Sequence, residues 1–167
     1  MSVVLYIAVS LDGFIADVQG GIDWLAPFEA NDYGYEDFVA GVDCLVMGRA
    51  TYDQVRSFGD WPYDGKRVVV MTTRPLGADT PQGITAWQGD DVATLAALPG
   101  TIWLVGGTGA IRPFLAAGLV DRMRLFVMPL LLGDGIRLFD GHAAVALRLQ
   151  ASHRHADGVV ELDYGRF

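Results

Sequence analysis

Short apolar runs alternate with polar, glycine-containing segments along most of the chain. Four runs, residues 2–9, 42–48, 66–73 and 101–107, have apolar and mostly β-branched centres, which is typical of strands buried on both faces of a sheet. A weaker strand is predicted over residues 83–87. These five runs predict the centre of an α/β domain.

The segments between these strands carry helical patterns. Tyr35, Phe38 and Val39 share one face of a predicted helix, and a later helix begins directly from Gly48. Residues 17–33 are predicted to be a loop, because they contain paired glycines, a proline and an Asn-Asp pair. The predicted helices cover residues 33–41, 49–57, 91–98 (with Asp90 as the N-cap) and 108–117 (with Gly118 as the C-cap).

The pattern changes after residue 120. Residues 121–130, 146–155 and 158–165 are predicted strands, and the last two form a hairpin around residues 156–158. The sequence therefore predicts a mostly parallel sheet with an antiparallel addition at one side. No linker divides the chain, so we expect one domain over residues 1–167.

The composition excludes several classes of function. Asp and Glu outnumber Lys and Arg by 20 to 12, a formal net charge of −8, so general binding of nucleic acid or of an anionic membrane is not expected. No apolar stretch reaches the ~18 residues of a membrane span. The N-terminus lacks the basic segment of a signal peptide, so we expect a cytoplasmic location.

Thiol and metal chemistry are not expected either. Cys44, the single cysteine, lies in the apolar run VDCLVM and is predicted to be a core residue. His153 and His155 alternate on one predicted strand face with no third ligand nearby, so we expect exposed histidines and no metal site.

Two predicted strands end in residues suited to binding phosphates. At Gly48-Arg49-Ala50-Thr51 a glycine opens the first turn of a helix, and Arg49 and Thr51 add donors. The alternative is a tight turn followed by an exposed arginine. At Thr72-Thr73-Arg74 two hydroxyls and a guanidinium suit a further phosphate, and the alternative is a capped strand end with a solvated arginine.

A third strand ends in Gly106-Gly107-Thr108-Gly109-Ala110, where glycines allow a pyrophosphate to approach the backbone closely. The alternative is a helix packed tightly on its strand. Arg112 stands where the Rossmann fingerprint requires its third glycine, so a Rossmann domain is not predicted.

Together these segments resemble the dihydrofolate reductase superfamily. The chain is most similar to the C-terminal reductase domain of the bifunctional riboflavin-biosynthesis deaminase/reductase, and to stand-alone bacterial proteins like it. The resemblance covers residues 3–140 and consists, in order, of YIAVSLDGFIAD, GIDWL, VDCLVMGRATYD, VVVMTTRP and IWLVGGTGAIRPFLAAGLVDRMRLFVMPLLLGDGIRLF. It implies a dihydrofolate-reductase-like α/β/α sandwich with a mostly parallel central sheet and a C-terminal antiparallel hairpin.

The resemblance also implies that NADPH binds across the strand ends, with a cis peptide at Gly106-Gly107. The residues that would meet the cofactor phosphates are Gly48, Arg49 and Thr51. Those that would surround the adenosine 2′-phosphate are Thr72, Thr73 and Arg74. Those that would cradle the pyrophosphate are Gly106, Gly107, Thr108, Gly109 and Ala110.

On the substrate side, the resemblance implies that the loop over residues 10–15 lies beside the nicotinamide, which places Asp12 and Phe14 there. Folate reductases carry a carboxylate sixteen residues before the glycine of the MGR motif. That glycine is Gly48 here, so the corresponding residue is Asp32. Asp32 is therefore the candidate for handling a proton or anchoring the substrate, and the alternative is a helix cap. Tyr35 and Glu36 follow it as further substrate-side candidates.

The function implied is an NADPH-dependent reductase of a small heterocycle, of the riboflavin-pathway type that acts on 5-amino-6-(5-phosphoribosylamino)uracil. Arg112 and Arg137 are candidate anchors for the phosphate of such a substrate. The alternatives are a folate or pterin reductase and a non-catalytic nucleotide-binding paralogue. A homodimer is also expected, with residues 125–132 and the C-terminal hairpin as candidate contacts.

Overall fold

A computed structural model describes residues 1–141 and 143–166, and its centre is an eight-stranded sheet. The strands are β1 (Ser2–Ser10), β2 (Phe14–Ala16), β3 (Cys44–Gly48), β4 (Arg67–Met71), β5 (Ile84–Trp87), β6 (Thr101–Gly106), β7 (Arg122–Met128), β8 (Ile136–Arg137), β9 (Leu147–Arg154) and β10 (Val160–Arg166). The helices are α1 (Tyr35–Ala40), α2 (Arg49–Ser57), α3 (Ala93–Ala96) and α4 (Thr108–Ala116), and a 3₁₀ helix covers Asp23–Phe28.

The order of strands in the large sheet is β5-β4-β3-β6-β1-β7-β10-β9. The first six strands are parallel to one another, and β10 pairs antiparallel with both β7 and β9. In the middle of the sheet Leu5 pairs with Leu104 on one side and Met123 on the other. The predicted mostly parallel sheet with a C-terminal antiparallel hairpin is therefore confirmed.

The two faces of the sheet bury different kinds of side chain. Leu95 of α3 and Phe114 of α4 pack in an almost wholly aliphatic core on one face. On the other face Tyr52 of α2 and Phe38 of α1 pack in a core rich in aromatic rings, among them Tyr6. Helices therefore cover both faces, which makes the α/β/α sandwich. Cys44 is fully buried, as expected.

Some local predictions were wrong. The segment 17–33 is not all loop, because it contains the 3₁₀ helix. Helix α3 is one turn long and starts later than predicted, since Asp91 rather than Asp90 accepts a hydrogen bond from the Ala93 N–H. His155 is half-buried rather than exposed, because its ring packs against Tyr33. The small sheet of β2 and β8 was not predicted, since its paired residues lie at least 120 positions apart in sequence.

The fold brings the predicted phosphate-binding strand ends together. Strands β3, β4 and β6 are parallel neighbours, so their carboxyl ends lie at the same edge of the sheet. Helices α2 and α4 begin directly at two of these ends. Within the residues described, no helix has the length and apolar character needed to cross a membrane.

Candidate cofactor and substrate site

A cavity of about 790 Å³ opens at the carboxyl ends of the parallel strands. The first turns of α2 and α4 form one wall. The helices start close together, because a Cβ built on Gly48 would lie 3.7 Å from the Gly107 nitrogen. The Gly106-Gly107 peptide bond is cis, as the sequence resemblance implied. The apolar lining includes Ile7, Ala8, Ile15, Leu25, Val105 and Ile136.

Both helix N-termini lack the side chains that normally satisfy their backbone. Gly48 and Gly107 occupy the N-cap positions, neither helix has a side-chain cap, and neither first turn contains an acidic residue. The first-turn N–H groups and the positive ends of both helix dipoles are therefore available to an anion. Nothing lies within 4 Å of a Cβ built on Gly109, so the backbone there is open to a close approach.

On α2, the carboxylate of Asp53 lies close to both predicted phosphate-binding arginines. The Arg49 Nε donates to Asp53 Oδ1 at 2.7 Å, and the Arg74 Nη2 lies 3.8 Å from Asp53 Oδ2. The Arg49 Nη1 also donates to the Pro75 carbonyl at 3.1 Å. The Thr72 Oγ accepts the Arg74 N–H within its own turn. Asp53, which was not predicted as a site residue, therefore holds Arg49 by a hydrogen bond and lies within ion-pair distance of Arg74.

The side chains of the loop over residues 10–15 lie in three different surroundings. Ile15 lines the cavity, whereas Phe14 is buried. Asp12 accepts hydrogen bonds from the Ser10 hydroxyl at 2.6 Å, from the Leu132 N–H at 3.1 Å and from the Gly133 N–H at 2.7 Å. Its carboxylate thus fastens the loop beside the cavity to the segment that follows β7.

The predicted substrate-side residues near α1 lie outside the cavity lining. The Asp32 Oδ1 accepts the Glu36 N–H of the first turn of α1 at 3.1 Å, whereas the N-cap residue of that helix is Gly34. Tyr35 packs its ring edge against Trp103 at a centroid distance of 5.9 Å. Tyr6 and Phe38 stack at 4.2 Å beneath them. The proton-handling role of Asp32 stays a prediction.

Comparison with known proteins identifies the family. The sequence model of the family described as RibD C-terminal domain matches residues 61–160, more than half of the chain. The chain belongs to the RibD C-terminal domain family. The uncharacterized protein YwjB of Bacillus subtilis is 39% identical over 142 residues, 81% of either chain. The riboflavin biosynthesis protein RibD of Corynebacterium ammoniagenes is 29% identical over 151 residues, which cover 80% of this chain and 44% of that protein.

Solved structures show the same fold. A Shewanella sp. PV-4 protein named for riboflavin biosynthesis superposes with a TM-score of 0.88 at 33% identity, over 100% of this chain and 99% of the other. The Thermotoga maritima deaminase/reductase gives a TM-score of 0.75 at 15% identity, over 99% and 56%. Dihydrofolate reductase from Enterococcus faecalis, solved with NADP(H), gives 0.70 at 16% identity, over 99% and 96%. The dihydrofolate-reductase-like fold is thereby confirmed.

For this member of the RibD C-terminal domain family, the chemistry of the site fits a nicotinamide dinucleotide. Two uncapped helix N-termini suit the phosphates, and the Arg49–Arg74 pair suits a further phosphate. Thr51 and Thr108 add hydroxyl groups to the cavity wall. The Thr108 hydroxyl donates to the Arg137 carbonyl and so joins α4 to β8.

Three residues with polar groups near the site were not predicted from the sequence. Gln19 and Gln54 line the cavity, and the Gln54 Nε2 donates to the Gly20 carbonyl at 2.8 Å. Gln54 lies three residues after Thr51 on α2, so helical spacing could have found it. The Trp24 Nε1 is buried without a hydrogen-bond partner among the residues described, although its neighbour Leu25 lines the cavity. An indole N–H in that state is available to a ligand or a water.

The Asp12 clamp gives a prediction about stability. The Ser10 hydroxyl first, and then the Gly133 and Leu132 N–H groups, lower the pKa of Asp12. A lowered pKa in the folded state means that the clamp stabilises above the unfolded pKa of about 4 and that this stabilisation is lost as pH falls through the folded pKa. We expect Asp12→Asn to lower the urea midpoint at pH 7, because the Leu132 and Gly133 N–H groups bind different carboxylate oxygens, and asparagine replaces one of these oxygens with an NH2 donor.

The difference between wild type and Asp12→Asn should shrink as the pH falls below about 4. Asp60→Asn serves as the control, since Asp60 is exposed and accepts no hydrogen bond within the described chain. Equal midpoints at pH 7, or a difference that is the same at every pH, would show that Asp12 is not a clamp.

Proposed function

We propose that this protein binds NADPH in the cavity between α2 and α4 and reduces a small heterocycle of the riboflavin-pathway type, similar to 5-amino-6-(5-phosphoribosylamino)uracil. The observation that carries the proposal is the meeting of two uncapped, glycine-opened helix N-termini at one cavity. Family membership supports it, and so does the solved Thermotoga maritima deaminase/reductase, whose name includes reduction of that uracil. NADPH supplies a hydride when bound, and the protein supplies binding and orientation.

The cavity and the arginines beside it have separate roles in this proposal. The first-turn amides of α2 and α4 hold the pyrophosphate, and Arg49 and Arg74 hold the 2′-phosphate. The apolar group of Ile7, Ala8 and Ile15 excludes water from the reacting end of the cavity. Asp53 keeps the Arg49 guanidinium in place through their hydrogen bond.

One observation favours a second candidate, a nucleotide-binding protein without reductase activity. Among the described residues that line the cavity, none is an Asp or a Glu. A reductase of this kind therefore takes its proton from Asp32 beyond the lining or from water. Oxidation of NADPH, followed by its absorbance with a panel of ribosylaminopyrimidines and pterins, separates the two candidates. Turnover with any of them supports the reductase.

The cofactor part of the proposal is tested by Arg74→Ala. Removing the guanidinium removes a charge-assisted contact to the 2′-phosphate, worth about 1.5–3 kcal/mol, so we expect the Kd for NADPH to rise at least about tenfold. The Kd for NADH, which lacks that phosphate, should not change. Quenching of the fluorescence of the 4 tryptophans measures both.

Arg67→Ala is the matched control. Arg67 is also exposed, but it lies at the opposite end of β4 from Arg74. It should leave the preference for NADPH unchanged. Failure of wild type to bind either nucleotide would refute the cofactor site, and a preference that survives Arg74→Ala would refute the role of Arg74.

The homodimer stays a prediction. Of its two candidate contacts, the segment 125–132 is largely core, since Leu125, Phe126 and Met128 are buried and Leu131 is exposed. Strand β9 forms the edge of the sheet, and Leu149 on it is half-exposed. The hairpin is therefore the contact that we propose.

A further inference from the structure

Arg112 and Arg137 are two of the arginines in this acidic chain that form no ion pair among the described residues, and they are the two that line one cavity. Arg49, Arg56, Arg122, Arg124 and Arg166 each form an ion pair in which a hydrogen bond joins the two side chains. Within residues 1–141 and 143–166, Arg112 and Arg137 form no ion pair, and neither guanidinium donates a hydrogen bond to the protein. An arginine without a partner keeps all of its N–H donors available.

These two arginines line the same cavity, although they lie 25 residues apart in sequence. The cavity has a volume of about 420 Å³ and lies between α4 and the segment that follows β7. Thr108 and Ile136 line both this cavity and the large one. The two cavities are therefore neighbours, with Thr108 and Ile136 between them.

Packing positions the Arg137 guanidinium, and a glycine leaves room for that of Arg112. The Arg137 guanidinium lies over the Phe14 ring, 4.8 Å from its centroid, and Phe14 is buried. The Arg112 Nη1 lies 3.4 Å from a Cβ built on Gly141, so a glycine there leaves room for the guanidinium. A stacked arginine loses less side-chain freedom when it binds a ligand.

Two carboxylates, Asp134 and Asp140, also line this cavity. Asp134 Oδ1 accepts the Gly135 N–H at 2.8 Å, so that carboxylate is directed at its own turn. Neither carboxylate pairs with Arg112 or Arg137 within the described residues. The two carboxylates therefore accept no hydrogen bond from the guanidinium groups of Arg112 and Arg137 within the described residues.

We infer that Arg112 and Arg137 form a subsite for a phosphate group, separated from the large cavity by Thr108 and Ile136. Two guanidinium groups on different elements match the two charges and the several oxygens of a phosphate better than they match a single carboxylate. The assignment of this phosphate to the substrate rests on the proposed function. The inference that phosphate binds at this place is independent of it.

The test uses inorganic phosphate as the probe. We expect the Nε–H signals of Arg112 and Arg137 in ¹⁵N-labelled protein to shift saturably, with a Kd of about 1 mM, which corresponds to weak binding. In Arg112→Gln/Arg137→Gln the remaining amide shifts at residues 133–137 should require at least about ten times more phosphate, since each arginine contact is charge-assisted. Acetate at the same ionic strength should bind at least about ten times more weakly.

Arg154→Gln is the control, because Arg154 is exposed on β9 and also forms no ion pair in the described part of the chain. It should leave the titration unchanged. Shifts that do not saturate, or that persist in the double variant, would overturn the subsite.

Repeating the titration with saturating NADP⁺ separates this inference from the proposed function. Phosphate binding that persists supports a separate subsite, and binding that NADP⁺ abolishes assigns the arginines to the cofactor and overturns the inference. If NADP⁺ itself does not bind, the cofactor proposal fails, and the titration without nucleotide still decides whether the arginines bind phosphate.

Discussion

Gly109→Leu should leave the fold intact and weaken NADPH binding about 100-fold. Gly109 lies in the first turn of α4 and lines the large cavity, and nothing lies within 4 Å of a Cβ built there. The protein therefore has room for the Cβ of the leucine, and its side chain should occupy the space through which a pyrophosphate reaches the first-turn amides. Loss of two charge-assisted hydrogen bonds, each worth about 1.5–3 kcal/mol, corresponds to roughly 100-fold or more in Kd.

Stability distinguishes this effect from misfolding. Glycine is the poorest helix former apart from proline, so the variant should unfold at an equal or slightly higher temperature than wild type. Ala116→Leu is the control, since Ala116 is exposed in the last turn of the same helix, away from the cavity. Tryptophan quenching by NADPH and thermal unfolding measure the two properties. Unchanged NADPH affinity in a folded Gly109→Leu protein would contradict the cradle at α4.

Phe114→Ala should lower the free energy of unfolding by about 3–5 kcal/mol. Phe114 is 0% exposed and packs on the aliphatic face of the sheet with Leu104 and Ile111. The alanine leaves a cavity that rigid neighbours on α4 and β6 cannot close. Domains are typically stable by about 5–15 kcal/mol, so this change removes a large share of the stability.

Urea unfolding followed by circular dichroism measures the loss. Phe58→Ala is the control, because Phe58 is 62% exposed and its truncation should change stability by less than about 0.5 kcal/mol. Similar losses in the two variants would mean that α4 is not anchored through Phe114. Because α4 carries the proposed pyrophosphate cradle, the destabilised variant should also bind NADPH more weakly.

Local pattern was sufficient for the order of most strands and helices. The apolar centres of β1, β3 and β6 and the direct passage from Gly48 into α2 are properties of neighbouring residues, and the structure agrees with them. The prediction that Asp90 caps α3 was wrong: the N-cap residue is Val92, without a side-chain cap, and it is Asp91 that accepts the Ala93 N–H. The choice between two adjacent aspartates depends on the three-dimensional path of the chain.

By itself, the sequence determined the alternation of strands and helices, the antiparallel hairpin at the end, and the three glycine- or arginine-bearing strand ends, because each depends on residues close together in the chain. Tertiary structure decided which distant groups meet. It brought Asp12 to the backbone of Leu132 and Gly133. It also brought Arg49 and Arg74 to the carboxylate of Asp53, and it placed Arg112 and Arg137 in the lining of the same cavity. Contacts between residues so far apart are set by the packing of whole elements, which no local pattern encodes.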